Sequence, residues 1–362
     1  MTTTLLTFRK LRCTPVSVPL ANPVRTASGQ VTHAPLVLLD LLTDEGIEGR
    51  AYLFTYTPLV LKPLVHLLDS LAGLLKGAPL APLEVERMLD ARFRLLGNTG
   101  LVTMAIAGID MACWDALARA AGLPLCRQLG GTPKPVPAYF SQGMDGLERG
   151  VELAEQCLER GYTLMKIKIG YSTVAEDLAV VQAVQATLGN QAELAVDYNQ
   201  SLTVPEALRR CRTLDEQNLA WIEEPTRQDD DAGHARIARE VHTPIMLGEN
   251  WFGANEMARS VLAQASDMVM PDLMKIGGVS GWLRAASIAA AARLPMASHI
   301  FQEVTSHLMV ATPTAYRLEV LDIADPVLQS PLRIEGGMAH PSTGPGSGLD
   351  WDKAAVKCMQ VL

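Results

Sequence analysis

From about Pro135 onward, short apolar runs recur at intervals of roughly 20–30 residues, each separated from the next by an amphipathic stretch. The runs are VPAYF, TLMKIKIG, AELAVDYN, AWIEEP, PIMLGE, DMVMPDLM, PMASHI and RLEVLD. Strands that alternate with helices at this spacing predict βα units and a parallel sheet. Eight of them suit a closed (β/α) barrel better than an open doubly wound sheet, whose GxGxxG fingerprint is absent.

The first third reads differently, as α+β. Phe8 to Val18 and Pro35 to Leu42 look like strands, and LVLLDLLTDEGIEGRAYL predicts a hairpin turning at Asp44 to Gly46. Helices are expected from Pro58 to Leu75 and from Thr103 to Ala121, the second ending at Gly122. The reading divides the chain into an α+β capping domain (1–132), a barrel (133–335) and a Gly- and Pro-rich segment (336–362) packing back on the cap. A length of 362 residues with 48% hydrophobic and 19% charged residues leaves ample apolar material for this arrangement.

A net charge of −8 argues against nucleic acid or an anionic membrane as partner. The N-terminus reads as lacking a signal peptide, and no uniformly apolar run suggests a membrane span. The six cysteines are scattered without metal-type spacing and read as free thiols. A cytoplasmic location is expected.

In a (β/α) barrel, chemistry sits at the C-terminal strand ends. Here nearly every apolar strand ends in an ionisable or amide residue: Lys166 and Lys168, Asp197 and Asn199, Glu223, Glu249, Asp272, His299 and Glu319. Burying so many such groups is costly unless they serve one another. Asp197, Glu223 and Glu249 end three consecutive strands, which lie about 4.8 Å apart in a sheet. Three carboxylates without cysteine or histidine favour Mg²⁺ over zinc. Alternation along the strand lets only one of Glu223 and Glu224 face inward, and does not say which.

Lys166 and Lys168 are separated by one residue and share a face of their strand. Mutual repulsion is expected to lower the lysine pKa toward that of a general base. Asp272 and His299 end the sixth and seventh strands, where an aspartate fixes the tautomer of a histidine acid/base.

With KIKIGY, VDYNQSL, WIEEPT, GENW, MPDLMKIGG, SHIFQE and ATPTAYRLEVLD in the barrel, and AYLFTYTP and AGIDMACWDAL before it, the chain resembles the mandelate racemase group of the enolase superfamily over essentially its whole length. The resemblance implies a modified (β/α)7β barrel under an N-terminal cap. It also implies Mg²⁺ held by Asp197, Glu223 and Glu249. Lys168 would be the base on the S face of a carboxylate substrate, tuned by Lys166. His299, paired with Asp272, would serve the R face, and Glu319 would be a protonated donor to the developing enediolate. Asn199 would stand near the 2-hydroxyl, and Ser141 and Lys275 near the carboxylate. Relatives of this kind form homo-oligomers, and a homo-oligomer is implied here.

Val24, Val31, Phe54, Tyr56, Leu95 and Leu321 stand where the resemblance places an apolar pocket. Ser28 replaces an expected valine, a change of about 1–2 kcal/mol in apolar contact. Asn22, Arg25 and Asn98 also depart from the pattern. The leading expectation is racemisation or epimerisation of a 2-hydroxycarboxylate. Dehydration of an acid sugar is the second, and a catalytically silent binding protein the third.

Overall fold

The computed structural model describes residues 5–26 and 29–361, which leaves the expected pocket residue Ser28 outside the described residues. Three antiparallel strands open the chain: β1 (Phe8–Thr26), β2 (Gly29–Thr43) and β3 (Glu48–Phe54), in that order across the sheet. β1 and β2 run well beyond the expected strands, into a ribbon where Val24 faces Val31. Pro19 and Pro23 interrupt the apolar alternation there, and the register shifts between Pro19 and Val24.

Three helices follow, α1 (Leu61–Leu75), α2 (Pro82–Arg92) and α3 (Leu101–Ala120). α1 buries Leu61, Leu64, Leu68, Leu71 and Leu75, a stripe at helical spacing. α2 is additional to the sequence reading, although Pro82 and Glu84 in its first turn fit a helix start. α3 is buried almost all round. It lies so close to β3 that a Cβ on Gly49 would stand 2.0 Å from the Ala112 carbonyl oxygen. α3 and the Pro58–Leu75 stretch are, by length and composition, long and apolar enough to cross a membrane, although charged residues interrupt both, so neither stands out as a uniformly apolar run. In α3, 78% of the apolar window is buried in the fold, so its hydrophobicity is taken up by packing.

A short helix, α4 (Leu125–Gln128), leads into the barrel. The parallel strands are β4 (Val136–Ser141), β5 (Leu164–Lys168), β6 (Glu193–Asp197), β7 (Ile222–Glu223), β8 (Ile245–Leu247), β9 (Met268–Val269) and β10 (Leu318–Val320). β4 to β9 pair in sequence, and β10 pairs with β4. The expected seventh strand, PMASHI, makes only isolated bridges, Met296 to Val269 and Ala315, and His299 to Asp272. Beyond His299 the backbone turns left-handed at Ile300 and Phe301 (φ 38° and 52°), which leaves too few extended residues for a ladder. Helices α5 (Gly146–Glu159), α6 (Val174–Leu188), α7 (Val204–Leu214), α8 (Asp231–Glu240), α9 (Ala254–Leu262), α10 (Gly278–Ala292) and α11 (Gln302–Ala311) link these eight segments. The result is a (β/α)7β barrel under an N-terminal cap.

The chain then forms a hairpin, β11 (Arg333–Glu335) and β12 (Met338–His340), which pairs with β4. The final stretch, with α12 (Lys353–Met359), crosses to the cap. There Ser347 binds Asp115, the Trp351 indole N–H donates to Asp40 at 2.8 Å, and Val361 N–H donates to the Pro15 carbonyl at 3.0 Å. Cap and barrel also meet directly, through Tyr52 and Glu303 at 2.7 Å.

Candidate active site

Strand register lines up the polar ends. Ser141 pairs with Lys166, Lys168 with Asp197, and Asp197 with Glu223. In a parallel sheet, paired residues point the same way, so Lys168 and the carboxylates form one row. Glu249 lies two residues past the end of β8 and completes a triad. One ligand oxygen from each of Asp197, Glu223 and Glu249 lies within 4.8 Å of the others, and all three residues are buried. Glu224 faces elsewhere and accepts from Asn250 Nδ2 at 2.9 Å, which resolves the choice that alternation left open. Its backbone is left-handed (φ 38°), a turn that separates the two carboxylates.

The donor set fits a divalent cation. Burial pushes the Glu223 carboxyl above its usual range; Lys166 opposes this, while Asp197 and Glu249 add to it. Like charges held together in a dry site are what a hard cation relieves, and an all-oxygen set selects Mg²⁺. Asn199 donates Nδ2 to Asp197 at 2.9 Å, yet its Oδ1 is buried with no hydrogen-bond partner among the described residues. An orphaned acceptor of this kind beside the triad marks room for a ligand's donor.

The two lysines have separate partners. Lys166 Nζ lies 2.9 Å from Glu223 and 2.9 Å from Glu319, and Lys168 binds Asp197. Burial disfavours both ammonium groups, but Glu223 and Glu319 hold Lys166 well above its usual pKa. For Lys168, burial is the largest single influence and Lys166 adds to it, but Asp197, Glu249 and Glu223 together raise the pKa. The expected depression by mutual repulsion is therefore overridden, because each ammonium sits closer to a carboxylate than to its fellow cation.

His299 Nδ1 lies 2.8 Å from Asp272 Oδ2, and its Nε2 lies 3.1 Å from Glu249. Burial works against the imidazolium, but Glu249 and Asp272 lift its pKa to about 10. Burial favours the neutral form of Glu319, yet Lys166, His299 and the Ile300 N–H lower its pKa to about 2.

Ser141 and Lys275 are buried at the same end of the barrel, and Lys275 donates to Asn250 Oδ1 at 2.7 Å. Val24, Val31 and Leu321 are partly buried. Tyr56 projects from the cap, its ring 4.4 Å from that of Phe54. Leu95 is fully exposed. Asn250, which ties Glu224, Glu249 and Lys275 together, was not singled out in the sequence. Its only signal there is its place directly after a strand-end carboxylate.

A cap over a closed parallel barrel, with three carboxylates at consecutive strand ends, defines a magnesium-dependent barrel enzyme. The chain belongs to the enolase superfamily, in its mandelate racemase and muconate lactonizing enzyme group. Residues 8–130 match the mandelate racemase/muconate lactonizing enzyme N-terminal domain, and residues 150–355 the enolase C-terminal domain-like family. An enolase from Bradyrhizobium, solved with magnesium and mandelic acid, is 43% identical with a TM-score of 0.96, covering 99% of this chain and 100% of that one. The L-talarate/galactarate dehydratase of Salmonella typhimurium is 30% identical over 356 residues, 95% of this chain and 89% of that protein. The L-Ala-D/L-Glu epimerase of Bacillus subtilis is 29% identical over 276 residues, 74% of this chain and 73% of that protein. Relatives thus include both epimerases and acid-sugar dehydratases.

Proposed function

We propose that this enzyme moves the α-proton of a 2-hydroxycarboxylate between the two faces of the carbon, as a racemase or epimerase. The observation that carries the reading is the placement of two proton carriers against one triad, with Lys168 on Asp197 and His299 Nε2 3.1 Å from Glu249. An α-proton beside a carboxylate is hardly acidic, because its loss adds a second negative charge to an anion. Bound Mg²⁺ supplies positive charge to offset that addition. Lys166 and Lys275 add fixed cations for the substrate carboxylate, and the unpartnered Asn199 Oδ1 suits its 2-hydroxyl.

Charge that Asp197 shares with a bound Mg²⁺ would weaken its hold on the Lys168 proton. As the free amine, Lys168 takes the proton from the S face while the His299 imidazolium returns one to the R face; in the reverse transfer neutral His299 takes the proton and the Lys168 ammonium returns one. Asp272 holds the imidazole so that Nε2 is the transferring nitrogen. The substrate side chain then lies under the cap, near Val24, Val31, Tyr56 and Leu321. The mandelic acid bound by the Bradyrhizobium relative supports an aryl or alkyl 2-hydroxyacid. The second reading, dehydration of an acid sugar, has the Salmonella dehydratase in its favour. In that case His299 delivers its proton to a 3-hydroxyl, which leaves as water.

The test is a panel of 2-hydroxyacids and acid sugars with Mg²⁺ in D₂O, followed by NMR and polarimetry. Deuterium at the α-carbon with loss of optical rotation is the expected result. Formation of a 2-keto-3-deoxy acid selects the dehydratase. No exchange with any substrate overturns both.

A further inference from the structure

Tyr56 belongs to the cap, yet both polar ends of its contacts lie on one barrel loop. Its ring stacks under the Lys275 ammonium, with Nζ 4.4 Å from the ring centroid. Its hydroxyl lies 3.4 Å from Asp272 Oδ2, the same oxygen that faces His299 Nδ1 at 2.8 Å. Lys275 and Asp272 are joined in turn, since the Lys275 N–H donates to Asp272 Oδ1 at 2.9 Å. One cap side chain therefore spans the loop from residue 272 to 275.

The backbone of Tyr56 is left-handed, with φ 57°. A bulky residue adopts that conformation only where its surroundings over-determine it. The surroundings here are the tilted Phe54 ring at 4.4 Å, the Lys275 cation and the Asp272 carboxylate. A residue serving only as an apolar wall needs neither of the last two contacts.

We infer that Tyr56 is a positioning residue for the Asp272–His299 pair, so that proton transfer on the His299 face depends on the cap being seated. The inference deepens the two-base reading and rests on it. At 3.4 Å the hydroxyl contact is longer than a strong O–H···O bond, so it steers the carboxylate rather than competing with His299 for it. The Lys275 N–H fixes Oδ1, so the cap hydroxyl is the contact beside His299 that biases Oδ2, and removing it loosens the tilt of the carboxylate that aims the imidazole. Lys168 is held instead by Asp197, at the end of β6.

The experiment compares the Mg²⁺-loaded wild type with Tyr56→Phe, which keeps the ring over Lys275, and Tyr56→Leu, which loses both contacts. Deuterium exchange is measured separately on the R and S enantiomers of a turned-over 2-hydroxyacid. The expected result for Tyr56→Phe is a roughly tenfold fall in the ratio of R-face to S-face exchange, carried by kcat with KM little changed. Tyr56→Leu lowers the same ratio and raises KM on both faces. Equal loss on both faces, or a KM change alone in Tyr56→Phe, overturns the inference and leaves Tyr56 a substrate wall.

A second readout does not need turnover. The proton between His299 Nδ1 and Asp272 is expected to give a far-downfield ¹H signal, assigned by its loss in His299→Asn. Tyr56→Phe is expected to shift or broaden it, and an unmoved signal counts against the inference. Were the wild type to exchange no proton at all, the two-base reading would fail while this signal still tested the positioning role.

Discussion

His299 Nε2 stands 3.1 Å from Glu249 Oε2, so the imidazole aimed by Asp272 points at one corner of the carboxylate triad. Lys168 is bound to another corner, Asp197. The carboxylate triad and the two proposed bases are thus one electrostatic unit, and a change at any corner alters both charge balance and geometry.

The two bases are separable by face. Lys168→Ala is expected to lower exchange of the S enantiomer by about 10²–10⁴-fold, the usual worth of a positioned acid/base, while the R enantiomer still exchanges measurably. His299→Asn reverses the pattern. Stereospecific deuterium uptake reads both, and a single variant that left racemisation intact would remove the two-base mechanism.

Metal and activity fall together if one ligand loses its charge. Glu249→Gln keeps the shape of the side chain but removes a negative oxygen from the triad and from His299. Mg²⁺ affinity measured by titration calorimetry is expected to drop by about 10²-fold, with activity recovered only in part at high Mg²⁺. Full activity of the wild type after exhaustive EDTA treatment would contradict the assignment.

Much of this site was legible in the sequence, because a barrel puts successive strand ends on one rim. Asp197, Glu223 and Glu249 needed only their strand positions to be brought together. The charge state of the site was not legible in the same way. Lys166 and Lys168 are neighbours in sequence, but the carboxylates that set their protonation come from β6, β7 and β10, and Glu319, far along the chain, reaches Lys166 past the single intervening strand β4. The ribbon of β1 and β2 was also hidden, since prolines and polar residues erase its alternation while backbone pairing still extends it. The seventh strand shows the opposite error: an apolar run that ends in left-handed turns rather than in a ladder.

Within the cap, the packing of α3 on β3 depends on a missing side chain. At Gly49 an added Cβ would meet the Ala112 carbonyl oxygen at 2.0 Å and the Ala116 Cβ at 2.8 Å, and neither helix atom is a flexible end. Gly49→Ala is therefore expected to push α3 from β3 and destabilise the protein by about 1–3 kcal/mol. Urea unfolding measures this, and a midpoint equal to that of the wild type would show that the helix shifts without cost.

Acid should unfold the protein partly through a histidine remote from the triad. His234, on α8, is fully buried, and neither ring nitrogen has a hydrogen-bond partner among the described residues. Burial pushes its pKa down to about 4. The unfolded chain takes up this proton near pH 6.5, whereas the folded protein resists it until pH 4. The folded pKa is the lower one, so the contribution is complete above pH 6.5 and is lost as pH falls toward 4. The loss reaches about 3 kcal/mol by the lower limit. His234→Leu removes this linkage and fills the same space with apolar atoms. Compared by urea unfolding at pH 7.5 and 4.5, the variant is expected to lose roughly 2–3 kcal/mol less than the wild type on acidification. The ion pairs of the active site are common to both proteins and cancel in that difference. Parallel pH dependences would mean that His234 takes up its proton in the folded state, through a partner the packing must then supply.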